Sequence, residues 1–177
     1  MPSLARSIET YIRAKDGNRP HLIADAFAPD ATLDMTLRTS EIAFPAHEEG
    51  ADAIARVLVS EFAQRYENVY TLCVGAAPEP CATFDCDWLV CMTEKGSGAA
   101  RVGFGRYAWR ASGDTGRVAA LHIVIEAMRT LPPQWSAEIL AWVSGLPYPW
   151  CPREALAAGA PACEPVQSVL RALTDRA

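Results

Sequence analysis

Residues 68–128 constrain this chain more than any other stretch. Four runs rich in β-branched and aromatic residues, "NVYTLCVG" (68–75), "CATFDCDWLVCMTE" (81–94), "ARVGFGRYAWRA" (100–111) and "GRVAALHIVIEAM" (116–128), are separated only by "AAPEP", "KGSG" and "SGDTG". Runs of that composition favour strands, and the Gly/Pro/Ser clusters between them favour turns. A parallel neighbour needs a crossover of a dozen or more residues, so links this short require an antiparallel meander.

The segments before the meander carry a helical period. Ser3 is placed to cap a helix with Leu4, Ile8, Tyr11 and Ile12 on one face, ended by "DGNRP" (16–20). Pro20 opens a second, short helix with Leu22, Ile23, Ala26 and Phe27 inward. "APDATLDMTL" (28–37) enters a strand, with "EIAFPA" (41–46) as its hairpin partner or an irregular edge. A third helix runs from Gly50 to about Tyr66, with Ile54, Val57, Leu58 and Phe62 at helical spacing. Helices followed by strands give an α+β class, helices packed on one face of a curved antiparallel sheet. After Met128 the texture changes again. "LPPQWSAEILAWVSGL" (131–146) and "EPVQSVLRAL" (164–173) read as helices joined by the rigid link "PYPWCP". Trp135, Trp142 and Trp150 mark this extension as ordered. The expected division is therefore 1–130 for the main domain and 131–177 for a helical extension packed on it.

The 177 residues suffice for one core without staples. A net charge of -5 with no Lys/Arg cluster argues against nucleic acid. No apolar run reaches the ~18 residues of a membrane span. Residues 1–17 lack the apolar segment of a signal peptide, so the expected location is cytoplasmic. The six cysteines form no CxxC and pair with no histidine at zinc spacing, and are expected as small buried hydrophobes. "GFG" (103–105) lies within a strand and lacks the following helix of a phosphate cradle. No cofactor and no metal are expected.

One strand carries the candidate chemistry. Alternation puts His122, Val124 and Glu126 on one face of 116–128, with Leu121, Ile123 and Ile125 on the other. An imidazole and a carboxylate on one face of so apolar a strand mean a wet face or a cavity with acid–base work. They would lie roughly 13 Å apart, so joint action would run through a ligand. The hairpin at "SGDTG" brings Arg106 beside His122, so that Phe104, Arg106 and Ala108 share their side; a one-residue slip substitutes Gly105, Tyr107 and Trp109. In "TFDCDWLV" the apolar Phe84, Cys86 and Trp88 alternate with Asp85 and Asp87, which therefore face out.

The order of elements, with "AFAPDATLDM" (26–35), "EGADAIARVLVSEF" (49–62), "GFGRYAWR" (103–110) and "GRVAALHIVIEAM", resembles the SnoaL-like family of the nuclear transport factor 2-like superfamily. The resemblance covers about residues 3 to 128. It implies a sheet curled into a cone and closed by three N-terminal helices around a mostly apolar pocket. It also implies that Glu126 stands where SnoaL-like cyclases carry an acid–base carboxylate near the end of the last strand. Steroid isomerases of the superfamily keep a base that falls at Met35 by simple counting, next to Asp34. The function implied is a pocket for a small cyclic or aromatic compound, with cofactor-free dehydration, isomerisation or cyclisation as the reaction. Glu126 would move the proton, and His122 and Arg106 would polarise a carbonyl. Asp34, Tyr11, Trp88, Val124 and Phe62 would line the pocket. The rival reading is a non-catalytic ligand-binding or dimerisation module, and a homodimer is expected in either case.

Overall fold

The computed structural model describes residues 2–113 and 115–176; Asp114, in the "SGDTG" turn, lies outside the described residues. Helix α1 (Leu4–Asp16) starts where the Ser3 side chain accepts the Arg6 amide, and its buried face is Leu4, Ile8, Tyr11, Ile12 and Lys15. Pro20 opens a 3-10 turn that runs into the short α2 (Ile23–Ala26), and β1 (Phe27–Leu37) follows at once. The third helix begins after Gly50, whose φ of 89° suits glycine. It comprises α3 (Ala51–Ala55), a π-helical stretch (Arg56–Glu61) and α4 (Phe62–Arg65). The wider π turn lets three consecutive residues, Val57, Leu58 and Val59, all reach the core.

The long strands are β3 (Tyr66–Val74), β4 (Thr83–Glu94), β5 (Ala100–Ala111) and β6 (Val118–Leu131), joined antiparallel as the short links require. With β2 (His47–Glu49) and β7 (Trp150–Cys151) they form one curved seven-stranded sheet in the order β2-β1-β6-β5-β4-β3-β7. Two details depart from the sequence expectation. First, β1 lies parallel to β6, and β7 parallel to β3, so the sheet is antiparallel only in part. Second, "EIAFPA" forms no strand, and β1 pairs instead with His47–Glu49. Pro45 has no amide hydrogen for a ladder, which confines pairing to the residues beyond it.

Both faces of the sheet are apolar. The inner face carries Cys73 of β3, Cys86, Trp88, Val90 and Met92 of β4, Tyr107 and Trp109 of β5, and Leu121, Ile123, Ile125 and Met128 of β6, under α1–α4. The outer face carries Leu72, Val74, Leu89, Cys91, Val102 and Phe104. These are covered by Ile139, Trp142 and Val143 of α5 (Ser136–Ser144) and by Val166, Val169, Leu170 and Leu173 of α6 (Glu164–Asp175). Each such aliphatic side chain removed from water stabilises the fold by about 1.5–3 kcal/mol. Asp87 faces out, as its strand position demands, but lies beneath this layer at 2 % exposure. There it holds Arg106 (3.2 Å), Arg153 (3.0 Å) and Arg176 (3.2 Å). Cys73, Cys86, Cys91 and Cys151 are buried free thiols; Cys81 is exposed. Among the described residues no helix is long and apolar enough to cross a membrane.

Candidate functional site

A cavity of about 40 Å³ remains between the inner face and the helices. Met35, Trp88, Val90, Met92, Tyr107, Ile123, Ile125 and Met128 form its sheet side. Tyr11 and Lys15 of α1 and Leu58 and Phe62 of the third helix form its roof, and Ile42 and Phe44 close it from the 38–46 loop. Phe44 lies flat on Phe62, ring centres 6.3 Å apart. The two glycines of "GFG" make room on the sheet side. Gly105 pairs with Trp88, whose Cζ2 would stand 2.7 Å from a Cβ on residue 105, and a Cβ at Gly103 would meet the Met128 methyl at 2.6 Å. Trp88 thus lies over bare backbone and stacks on Tyr107, centres 5.6 Å apart.

The polar groups of this enclosure are an ammonium, an indole N–H and three hydroxyls, with no carboxylate among the described lining residues. The buried Lys15 Nζ donates to Thr71 Oγ1 (2.7 Å) and Asp16 Oδ1 (3.3 Å) and sits 4.7 Å from the centre of the Phe62 ring. Asp16 is held in turn by the Thr71 amide (2.7 Å), the Thr71 hydroxyl (2.8 Å) and the Tyr148 hydroxyl (2.9 Å). A carboxylate and an aromatic face together make the buried ammonium tolerable. Trp88 Nε1, by contrast, is buried with no hydrogen-bond partner, as is Trp109 Nε1 deeper in the core, and the Tyr11 hydroxyl makes no hydrogen bond of good geometry, with the Tyr107 hydroxyl as its polar neighbour. Burial pushes the Tyr11 and Tyr107 phenols far above their ordinary range, so both stay neutral. An unpartnered buried donor costs about 1–3 kcal/mol.

The residues expected at the pocket divide in two. Tyr11, Trp88 and Phe62 line it. His122, Val124, Glu126, Arg106 and Asp34 do not, because β6 turns its odd-numbered aliphatics inward. Ile123 and Ile125 are 4 % and 3 % exposed, whereas His122 is on the exposed outer face with Nε2 2.9 Å from Thr36 Oγ1. Val124 is half-buried beside it. Arg106 pairs across with Val124, not His122, and its guanidinium meets Asp87 and Asp85 (3.7 Å). Glu126 sits at a β-bulge, where Phe104 pairs with Ala127 and Gly105 with Ile125. Its carboxylate reaches Arg38 (3.2 Å) and Arg176 (3.8 Å). Asp34 faces out against His47 (2.8 Å), and its neighbour Met35 takes the cavity position.

Lys15 and Thr71 are the polar cavity residues that the sequence reading did not single out, and Tyr107 entered it only as the one-residue slip, whose inward set of Tyr107 and Trp109 is the one the structure adopts. A signal for Lys15 existed: it stands four residues after Tyr11, on the helix stripe that is otherwise apolar.

The outer-face His47 yields a prediction. Its ring N–H groups donate to the carboxylates of Asp34 (2.8 Å) and Glu49 (3.2 Å), which raises its pKa above the ordinary 6.5. Its stabilising contribution is therefore complete below about pH 6.5 and is lost as the pH rises through the raised folded value. NMR titration should place the His47 midpoint above 6.5, and Asp34→Asn should lower it. An unchanged midpoint in the variant would disprove the pairing.

No family model matches the sequence, and no curated protein matches it. Solved structures do. An NTF2-like protein from Burkholderia thailandensis superposes with a TM-score of 0.55 at 14 % identity, over 77 % of this chain and 98 % of its own. A protein with a ketosteroid isomerase-like fold from Catenulispora acidiphila, in complex with trimethylamine, gives 0.53 at 16 % identity, over 66 % and 82 %. An LEH-like epoxide hydrolase from Mycobacterium tuberculosis gives 0.51 at 11 % identity, over 69 % and 81 %. At these identities the likeness is one of fold. That fold is the nuclear transport factor 2-like cone which the SnoaL-like resemblance implied.

Proposed function

We propose that this protein of nuclear transport factor 2-like fold uses the cone interior to bind a small cyclic or aromatic molecule that offers an acceptor oxygen to its walls. The observation that carries this reading is the Trp88 Nε1 donor, buried at the cavity without a partner, together with the Lys15 ammonium and the neighbouring Tyr11 and Tyr107 hydroxyls. A ligand carboxylate or carbonyl would satisfy them, and the apolar walls would take the ring. At about 40 Å³ the cavity is smaller than ligand pockets commonly are, several hundred Å³. Met35, Met92 and Met128 are flexible side chains that can repack around a ligand.

The binding reading stands ahead of dehydratase, isomerase or cyclase chemistry. Among the described residues lining the cavity there is no carboxylate and no imidazole, so proton abstraction by Glu126 with help from His122 and Arg106 has no path to a ligand in the cone. Any reaction there would have to use Lys15 or the neutral phenols. A homodimer through the outer sheet face would compete with α5 and α6 for β3–β5, leaving the β2-β1-β6 side as the available surface.

The test is titration of benzoate followed by the part of the tryptophan fluorescence that Trp88→Phe removes, with toluene as the apolar control. Benzoate should bind, Lys15→Met should weaken it by about tenfold or more, and toluene should be indifferent to that change. Binding of neither compound would sink the pocket reading. Tyr11→Phe adds a stability test: the hydroxyl makes no hydrogen bond of good geometry and has only the Tyr107 hydroxyl beside it, so its removal should change the stability of the unliganded protein by no more than about 1 kcal/mol. A clear loss of stability would show that the hydroxyl has a protein partner.

A further inference from the structure

A second concavity, of about 600 Å³, lies outside the cone between the exposed side of α1, the Pro20–Leu22 turn and the start of β6. Arg6, Arg13, Arg19 and Arg117 line it, and Asp25 is the one carboxylate among the described lining residues. Four of the chain's cations thus gather on one hollow of a protein whose net charge is -5.

The arrangement is held from below. Arg6, Thr10 and Arg13 follow one another at helical spacing on α1, whose opposite face is locked in the core by Ile8, Tyr11 and Ile12. Arg19 is fixed by its amide donating to Ala14 O at 2.8 Å. The turn before Arg117 is tied to α1 by Ser7 Oγ donating to Gly116 O at 2.9 Å. Of the ten arginines elsewhere, seven (Arg38, Arg56, Arg101, Arg106, Arg153, Arg171 and Arg176) have a carboxylate within 4.0 Å, and Arg65, Arg110 and Arg129 have none among the described residues. Arg6, Arg13 and Arg19 have none among the described residues. Four guanidiniums lining one hollow beside a single carboxylate give it a positive potential, which a polyanion complements.

We infer that this hollow binds a small molecule carrying two or more phosphates. Guanidinium forks match phosphate oxygens bidentately, and several forks around one concavity suit a di- or triphosphate better than a single small anion. The size is that of a small-molecule site, and the negative net charge disfavours a long nucleic acid. The inference is independent of the cone pocket.

The experiment is calorimetric titration of inorganic tripolyphosphate and of adenosine triphosphate into the full chain and into Arg6→Glu/Arg19→Glu. Both changed residues are exposed, and an acid in the first turn of α1 suits the helix dipole, so the variant should fold. Tripolyphosphate should bind the parent chain and bind the variant roughly tenfold or more weakly, with Lys15→Met unaffected. Inositol trisphosphate and vesicles containing phosphatidylinositol 4,5-bisphosphate distinguish a free ligand from a lipid headgroup. Equal binding by parent and variant, no binding of any phosphate compound, or capture of a single-stranded oligonucleotide alone would overturn the inference.

Discussion

Asp87→Ala is expected to lower the stability of the protein by about 3 kcal/mol, the lower end of the cost of breaking a buried ion pair from one side. The Asp87 side chain is 2 % exposed and is the shared counter-charge of Arg106, Arg153 and Arg176. Without it three guanidiniums would crowd one another under the C-terminal layer. Their own exposures of 45 %, 25 % and 31 % let them recover part of their hydration, which keeps the loss from being larger. The damage should be directional. Arg153 also donates to the Leu173 carbonyl in α6, so it ties both that helix and its preceding link to β4. Amides of α5 and α6 should exchange faster in the variant than those of β4–β6, and the freed outer face, with Leu72, Leu89 and Phe104, should promote association. Denaturant unfolding with an unchanged midpoint, or exchange that rises evenly across the chain, would contradict this account.

Gly105→Ala is expected to cost a similar amount, about 3 kcal/mol, by overpacking. A Cβ there would run into the carbonyl oxygen of Val124, on the neighbouring strand, and into the Trp88 ring. The backbone oxygen belongs to a sheet ladder and has no free end to swing away, so β5 and β6 must separate or Trp88 must leave its place over the glycine. The near-ultraviolet dichroism of the tryptophan should change with the loss of stability, and benzoate binding in the cone should weaken with it. Gly113→Ala is the control: a Cβ there meets nothing within 4 Å, and the change should stay within about 0.5 kcal/mol. Equal melting of the two variants would remove the steric reading of "GFG".

The sequence by itself determined the four strands of the β3–β6 meander, their antiparallel order and their two-residue period, but not the parallel β1–β6 and β3–β7 pairs. The meander depends on local chemistry: β-branched runs, glycine turns and links too short for a crossover. It also determined that His122, Val124 and Glu126 share one face and that Tyr11, Phe62 and Trp88 belong to an apolar surface, because period and spacing are properties of the chain. Only the tertiary structure decided which face of β6 looks inward. A strand has two sides, and the C-terminal layer covers the outer side over β3–β5 but leaves much of β1 and β6 open, so the ionisable residues of β6 marked a partly wet face and not the hollow. The partners that made each polar group tolerable came from far along the chain. Thr71, from β3, receives Lys15 of α1; Arg153 and Arg176, from the last third, neutralise Asp87; Arg38 reaches Glu126 across the parallel β1–β6 pair. Charge burial is settled by such non-local neighbours, and pattern along one strand carries no information about them.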